Sequence, residues 1–202
     1  MKIIAHHTCE NKGEIKDIEL NGAFLSTNID GNITNQKLLG TGYYFFDNNI
    51  TMAHAHGKNR YRRKYYIFEA ELNLKEDDFL DLVGNRTDMI WLQEVKKRFE
   101  PHLKDNQKKL GAFIEFLKWK NSSKEFKGIF PYKAIRAIDN SVNTDKIKED
   151  QKIHLEEVTD ESKMYFIEGQ DKFINLQPIY TLCLLELDKS IFTSFKHIHT
   201  NV

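Results

Sequence analysis

Two cysteines and three prolines are all that 202 residues contain of either type. Cys9 and Cys183 cannot build a disulfide framework, and no Cys-x-x-Cys pair offers a zinc site, so a reducing compartment, the cytoplasm, is the expectation. The scarcity of proline and the lack of any Ser/Gly-rich run leave no linker, and one domain over residues 1–202 is expected. Charge of one sign is not in excess, since 30 Lys and Arg balance 30 Asp and Glu. The global balance therefore predicts neither a nucleic-acid binder nor a membrane-surface protein, and any basic patch has to be local. No apolar run approaches a membrane span, and Met1 to His7 are too poor in apolar side chains for a secretory leader.

What is abundant is aromatic: 14 Phe and 8 Tyr within 40% hydrophobic residues, a composition that folds and buries a substantial core. Patterning predicts strands over 3–8, 23–27 and 43–46, with Asn21-Gly22 as a turn and an Asn-rich polar stretch up to Gln36. A short helix is expected over 49–57, capped by Asp47 or Asn48 and ended by Gly57. Residues 66–74 alternate as a half-buried strand. Thr87 is the expected cap of a helix with a Trp91, Val95, Phe99 stripe, stopped at Pro101. Leu110, Phe113, Ile114 and Leu117 mark a second helix. Strands follow over 133–138, 164–168 and 179–187, the last apolar enough to be central in its sheet. Residues 139–162 read as a polar loop, and Trp91 and Trp119 as core. Strands, then helices, then strands make an α+β pattern, with the helices as an insertion at about 87–120.

Three segments carry chemistry. In Ile4-Ala5-His6-His7-Thr8, His6 and Thr8 share one strand face. In Gly40-Thr41-Gly42-Tyr43-Tyr44-Phe45, the glycines permit close backbone approach and the tyrosines offer flat faces with a polar tip. The third is Phe166-Ile167-Glu168-Gly169 with the Tyr180-Thr181-Leu182-Cys183 strand. Singly, each has a plain structural alternative: a strand histidine, a turn entering a strand, a Glu-Gly turn.

In this order the segments resemble the His-Tyr clade of ADP-ribosyltransferases, the group of diphtheria toxin and the poly(ADP-ribose) polymerases. The family's His-Gly-Ser/Thr stands here as His6-His7-Thr8, and its Gly-x-Gly-x-Tyr-Phe as Gly40 to Phe45. The likeness covers residues 3–57, and more loosely 163–191. It implies a split β-sheet with an NAD cleft, NAD as substrate and no metal. His6 would then bind a ribose hydroxyl, the backbone at His7 the nicotinamide amide, and Tyr44 the nicotinamide ring, with Thr8, Gly42 and Tyr43 beside them. The family's second stacking aromatic is absent, and His54 or His56 stands in its region. The late-strand acid is also absent. Thr181 occupies its place, which implies single transfers without polymer, and Glu168 is the other candidate for the third catalytic role.

The expected activity is NAD-dependent mono-ADP-ribosyl transfer by a bacterial toxin or anti-phage effector with an antitoxin partner. The basic stretch with Arg60, Arg62 and Arg63, interleaved with Tyr61 and Tyr65, could contact phosphates of NAD or of an acceptor. It tilts the acceptor towards RNA or DNA over protein. Two alternatives are open: a module that binds NAD or ADP-ribose without turnover, and an NAD-dependent RNA 2′-phosphotransferase. The second is disfavoured because residues 3–57 contain no Arg. His54-Ala55-His56 lacks the carboxylates of a metal site, and His197-Ile198-His199 reads as a solvated tail.

Overall fold

The computed structural model describes residues 1–27, 37–62, 64–138, 163–165, 173–175 and 178–201. Nine strands are assigned there: β1 (Lys2–Glu10), β2 (Tyr43–Asp47), β3 (Tyr65–Asn73), β4 (Phe79–Asp81), β5 (Ala134–Ile138), β6 (Lys163–Tyr165), β7 (Phe173–Asn175), β8 (Tyr180–Leu184) and β9 (Phe192–Asn201). Four α-helices accompany them: α1 (Ile15–Asn21), α2 (Ile50–Arg60), α3 (Arg86–Phe99) and α4 (Leu110–Asn121). The α+β expectation holds. Seven strands form one mixed sheet in the order β4-β5-β8-β2-β1-β3-β9, and β6 and β7 pair as a separate ribbon. Among the described residues only β4 and β5 pair in parallel.

The sheet is strong in two halves and thin between them. β1 runs along β3 for nine residues, from Lys2 opposite Asn73 to Glu10 opposite Tyr65. β2 is tied to β8 through four residue pairs. β1 and β2, by contrast, pair only at Ala5↔Asp47 and His6↔Phe46. Beyond His6 they part.

Side chains alternate between two covered faces. Ile3, Ala5, Phe45, Leu72, Leu182 and Leu184 form one core cluster. On the opposite face Cys183, Ile135 and Leu80 pack under α4 with Phe113, Ile114 and Leu117. Tyr65 and Ile67 lie under Ala53 of α2, and Tyr66 and Phe68 pack with Ile18 of α1 and Cys9. The start of β3 is therefore buried on both sides, where alternation alone had predicted a half-buried strand.

Local chemistry explains the other departures. The cap of α2 is Asn49, whose side chain accepts from the Met52 N–H, and neither Asp47 nor Asn48. That helix runs through Gly57 to Arg60, because Gly57 is a packing point: a Cβ there would fall 2.4 Å from the Tyr65 ring. Asn85, rather than Thr87, caps α3, accepting from the N–H groups of Thr87 and Asp88. The expected strand over 23–27 is a single bridge, Ser26 to Gly42, preceded by α1, which pattern reading passed over. The C-terminal histidines stand in the edge strand β9, not in a tail. Trp119 is 64% exposed and outside the core. The expectations for 28–36 and 139–162 lie outside the described residues.

Candidate functional site

Where β1 and β2 part, a cleft of about 310 Å³ opens. One wall is His7, Thr8 and Cys9; the other is Tyr44, Phe45 and Phe46. Consecutive strand residues point to opposite faces. Such runs can line one cavity only if it lies at the backbone edge between the strands. The first two chemistry-bearing segments of the sequence thus face each other across the gap. Thr181 of β8, His56, Arg60 and Tyr61 from α2 and its end, Phe24 to Ser26, and Lys37 with Leu38 complete the lining.

Tyr44 is fixed at its polar tip. Its hydroxyl donates to the Gly40 carbonyl at 2.6 Å and accepts from the Leu39 N–H at 2.9 Å. Burial raises its pKa well beyond the usual phenol range, and nearby Cys183 adds to this. Its hydroxyl is therefore a structural clamp, and what it can offer a ligand is the ring. The glycines have a different reason from ligand approach. Gly40 adopts φ +84°, and a Cβ on it would meet Glu115 of α4 at 2.5 Å. A Cβ on Gly42 would strike the Cys183 Sγ at 2.4 Å. The loop is pressed onto its own protein and held there by Glu115, which accepts from the Thr41 N–H. Gly42 and Tyr43 do not line the cleft.

His7 is a wedge. Its Nδ1 lies 2.9 Å from the Tyr44 carbonyl, which the departing β1 leaves without a ladder partner, and the Phe24 N–H points to its Nε2 at 3.4 Å. An acceptor Nε2 makes Nδ1 the protonated nitrogen of a neutral ring. Burial lowers the His7 pKa to about 4; the bond to Tyr44 opposes this and His56 adds to it. Its ring is ringed by Phe24, Phe45 and Phe195.

His6 sits on the other face of β1, 5% exposed, with Nε2 3.4 Å from a carboxylate oxygen of Glu69 on β3. Its Nδ1 is buried without a hydrogen-bond partner among the described residues. Burial lowers its pKa, with Glu69 acting the other way. It adjoins the cleft and is absent from its lining. Thr8 donates to the Ala53 carbonyl at 2.9 Å, tying β1 to α2. Cys9 and Cys183 are pushed to about 12 by burial, which removes thiolate chemistry at neutral pH.

Of the histidine pair on α2, His56 lines the cleft, against Phe46 and Tyr61. His54 turns away to the Tyr65 hydroxyl at 3.0 Å and to the His199 ring. Arg60 is on the rim; Arg62 is exposed, does not line the cleft, and has φ +51°. Arg63 and Glu168 lie outside the described residues. Sequence reading missed Phe24 and Leu25, which are 51% and 49% exposed at the mouth, along with Lys37 and Glu69. An apolar pair followed by Ser-Thr after a turn carries no signal of a ligand.

Among the described residues, aromatic and apolar walls, the neutral His7 imidazole, two cations at the rim and no carboxylate in the lining suit a flat ring attached to an anionic group. Among the described residues no group of three or more His, Cys, Asp or Glu side chains could hold a metal ion. No helix among them is long and apolar enough to cross a membrane. Comparison with family models, with curated proteins and with solved structures returns no match for this chain.

Proposed function

We propose that this chain is an NAD-consuming mono-ADP-ribosyltransferase of the His-Tyr type, with the β1–β2 cleft as its NAD site. One observation carries the reading. His6-His7-Thr8 and Tyr44-Phe45, the segments that resemble the family's first two motifs, stand on either side of the gap where a seven-stranded sheet parts. That β1 and β2 are joined by only two residue pairs supports the split-sheet expectation.

In this reading nicotinamide enters between the Tyr44 ring and the backbone of His7 and Thr8. His56 supplies the second flat face, and Arg60 and Lys37 take the pyrophosphate. The C–N bond to the ribose breaks, its electron pair leaves with nicotinamide, and the acceptor bonds to the sugar carbon and loses a proton. The cationic ring becomes neutral as positive charge moves to the ribose, and an apolar wall favours that loss of charge. His6, with Nε2–H directed to Glu69, stands behind the cleft wall with its Nδ1 buried and unpartnered among the described residues, and the role that the resemblance gives it towards a ribose hydroxyl requires that wall to shift when NAD binds. Glu168 or Thr181 remains the candidate for the third role. RNA or DNA is the favoured acceptor over protein. A toxin or anti-phage role with an antitoxin partner rests on the resemblance alone.

The lack of a carboxylate among the described lining residues favours a second reading, a module that binds NAD without turnover. Calorimetry together with nicotinamide release separates the two. For the transferase, Arg60→Ala weakens NAD binding about tenfold, as expected for a lost phosphate contact, and nicotinamide is released by the unaltered chain. Intact NAD after binding supports the module, and no binding of NAD contradicts both.

A further inference from the structure

We propose that the groove between α3 and α4 binds single-stranded nucleic acid. It lies in the helical segment, apart from the β1–β2 cleft. Its volume is about 610 Å³, larger than that of the cleft. Arg98, His102, Lys104 and Lys120 line it, with Glu125 as its one carboxylate. The chain is neutral overall, yet residues 96–127 hold ten Lys or Arg against four Asp or Glu. The basic patch that global balance could not reveal is here. Asp105 and Glu115 pair with Lys108 and Lys118, which leaves the groove's own cations without ion pairs among the described residues.

The aromatic component decides the ligand class. Phe99 stacks edge-on with Phe116 and Phe126, and Phe116 adjoins Trp119, so a layer of rings runs outward from the core. It ends in an indole 64% exposed at the groove wall. The Lys120 ammonium lies 5.0 Å from the Trp119 ring centre and 4.8 Å from that of Phe126. An exposed indole with a cation over its ring matches the two halves of a nucleotide, a base and a phosphate. Duplexes hide their base faces, and an acidic peptide would use the cations without the indole. A single strand uses both. The loop that brings in Phe126 is held rigid by Asn121, which caps the Gly128 and Phe130 N–H groups. The proposal does not rest on the NAD reading, and its test measures binding alone.

The full chain is titrated with twelve-residue oligo-dT and oligo-U, followed by strand anisotropy and by tryptophan quenching. Trp91, packed against Phe130 and Tyr132, is the insensitive reference. Binding of either strand is expected, falling with salt with a log–log slope of about −2 to −3 for three or four phosphate contacts. Trp119→Ala is expected to weaken it about five- to a hundredfold. Arg98→Glu with Lys104→Glu should weaken it at least about tenfold, and Lys16→Glu on α1 should leave it unchanged. The proposal is overturned by no binding of either strand, by unchanged binding in Trp119→Ala, or by equal affinity for a twelve-residue duplex or an oligoglutamate.

Discussion

His7 shows how one side chain can shape a site without touching chemistry. Its ring takes the Tyr44 carbonyl that a continuous ladder would have given to a backbone N–H, and so satisfies β2 while keeping β1 away. His7 stands where the resembling family has glycine, and the resemblance gave a role only to its backbone; in the structure its side chain is the spacer. Buried and neutral, it links stability to pH. Its folded pKa of about 4 lies below the unfolded value of 6.5, so the unfolded chain binds more protons between the two. Its contribution, about 3 kcal/mol at roughly 1.4 kcal/mol per pH unit, is complete above pH 6.5 and lost as pH falls towards 4. His6, also lowered by burial, acts in the same direction. Urea unfolding at pH 7 and pH 5 should show this loss, and His7→Gln should flatten the slope. An equal slope in that variant would remove His7 from the explanation.

Among the elements, α2 shows what local rules can and cannot reveal. Its position was legible from the Asn-rich start and the small residues within it. Its end was not, because Gly57 reads as a terminator when the ring of Tyr65 above it is unseen. In an isolated helix Gly→Ala would stabilise by about 0.5–1 kcal/mol. Here the added methyl meets a buried aromatic ring, and Gly57→Ala is expected to destabilise by about 1–3 kcal/mol in chemical denaturation. A stabilised variant would mean that the helix can lift from β3 without cost. The helices α3 and α4 were readable from their stripes, whereas α1 was not: it has seven residues, one buried side chain and no side-chain cap. Tertiary contact with Cys9, Tyr66 and Phe68 sustains it.

At the scale of the whole molecule, the half-sheet that carries Tyr44 is tied together on its own side of the thin seam. Arg136 of β5 forms two hydrogen bonds to Asp81 of β4, at 3.0 and 2.6 Å, and a third at 2.8 Å to Asp47 of β2, beside the seam. Burial alone would raise the Asp81 carboxyl, but Arg136 and the Gly84 and Val83 N–H groups hold it below its ordinary value. Arg136→Met strands two largely buried carboxylates and is expected to cost about 3 kcal/mol, read as a lowered melting temperature. Unchanged melting would make the tie incidental. The class of fold and the central position of β8 were legible in order and hydrophobicity. The seam was not, since strand pairing is set by partners distant in sequence. The central claim is that the seam is an NAD site, and the most direct test uses NAD labelled in its adenylate half. The purified chain is incubated with it, and label is counted separately in cellular RNA, DNA and protein, with Tyr44→Ala and Arg60→Ala alongside. Label in one pool is expected, lost in Tyr44→Ala and reduced in Arg60→Ala, with both variants folded by circular dichroism. Label in no pool, or transfer undiminished in folded Tyr44→Ala, would contradict the account.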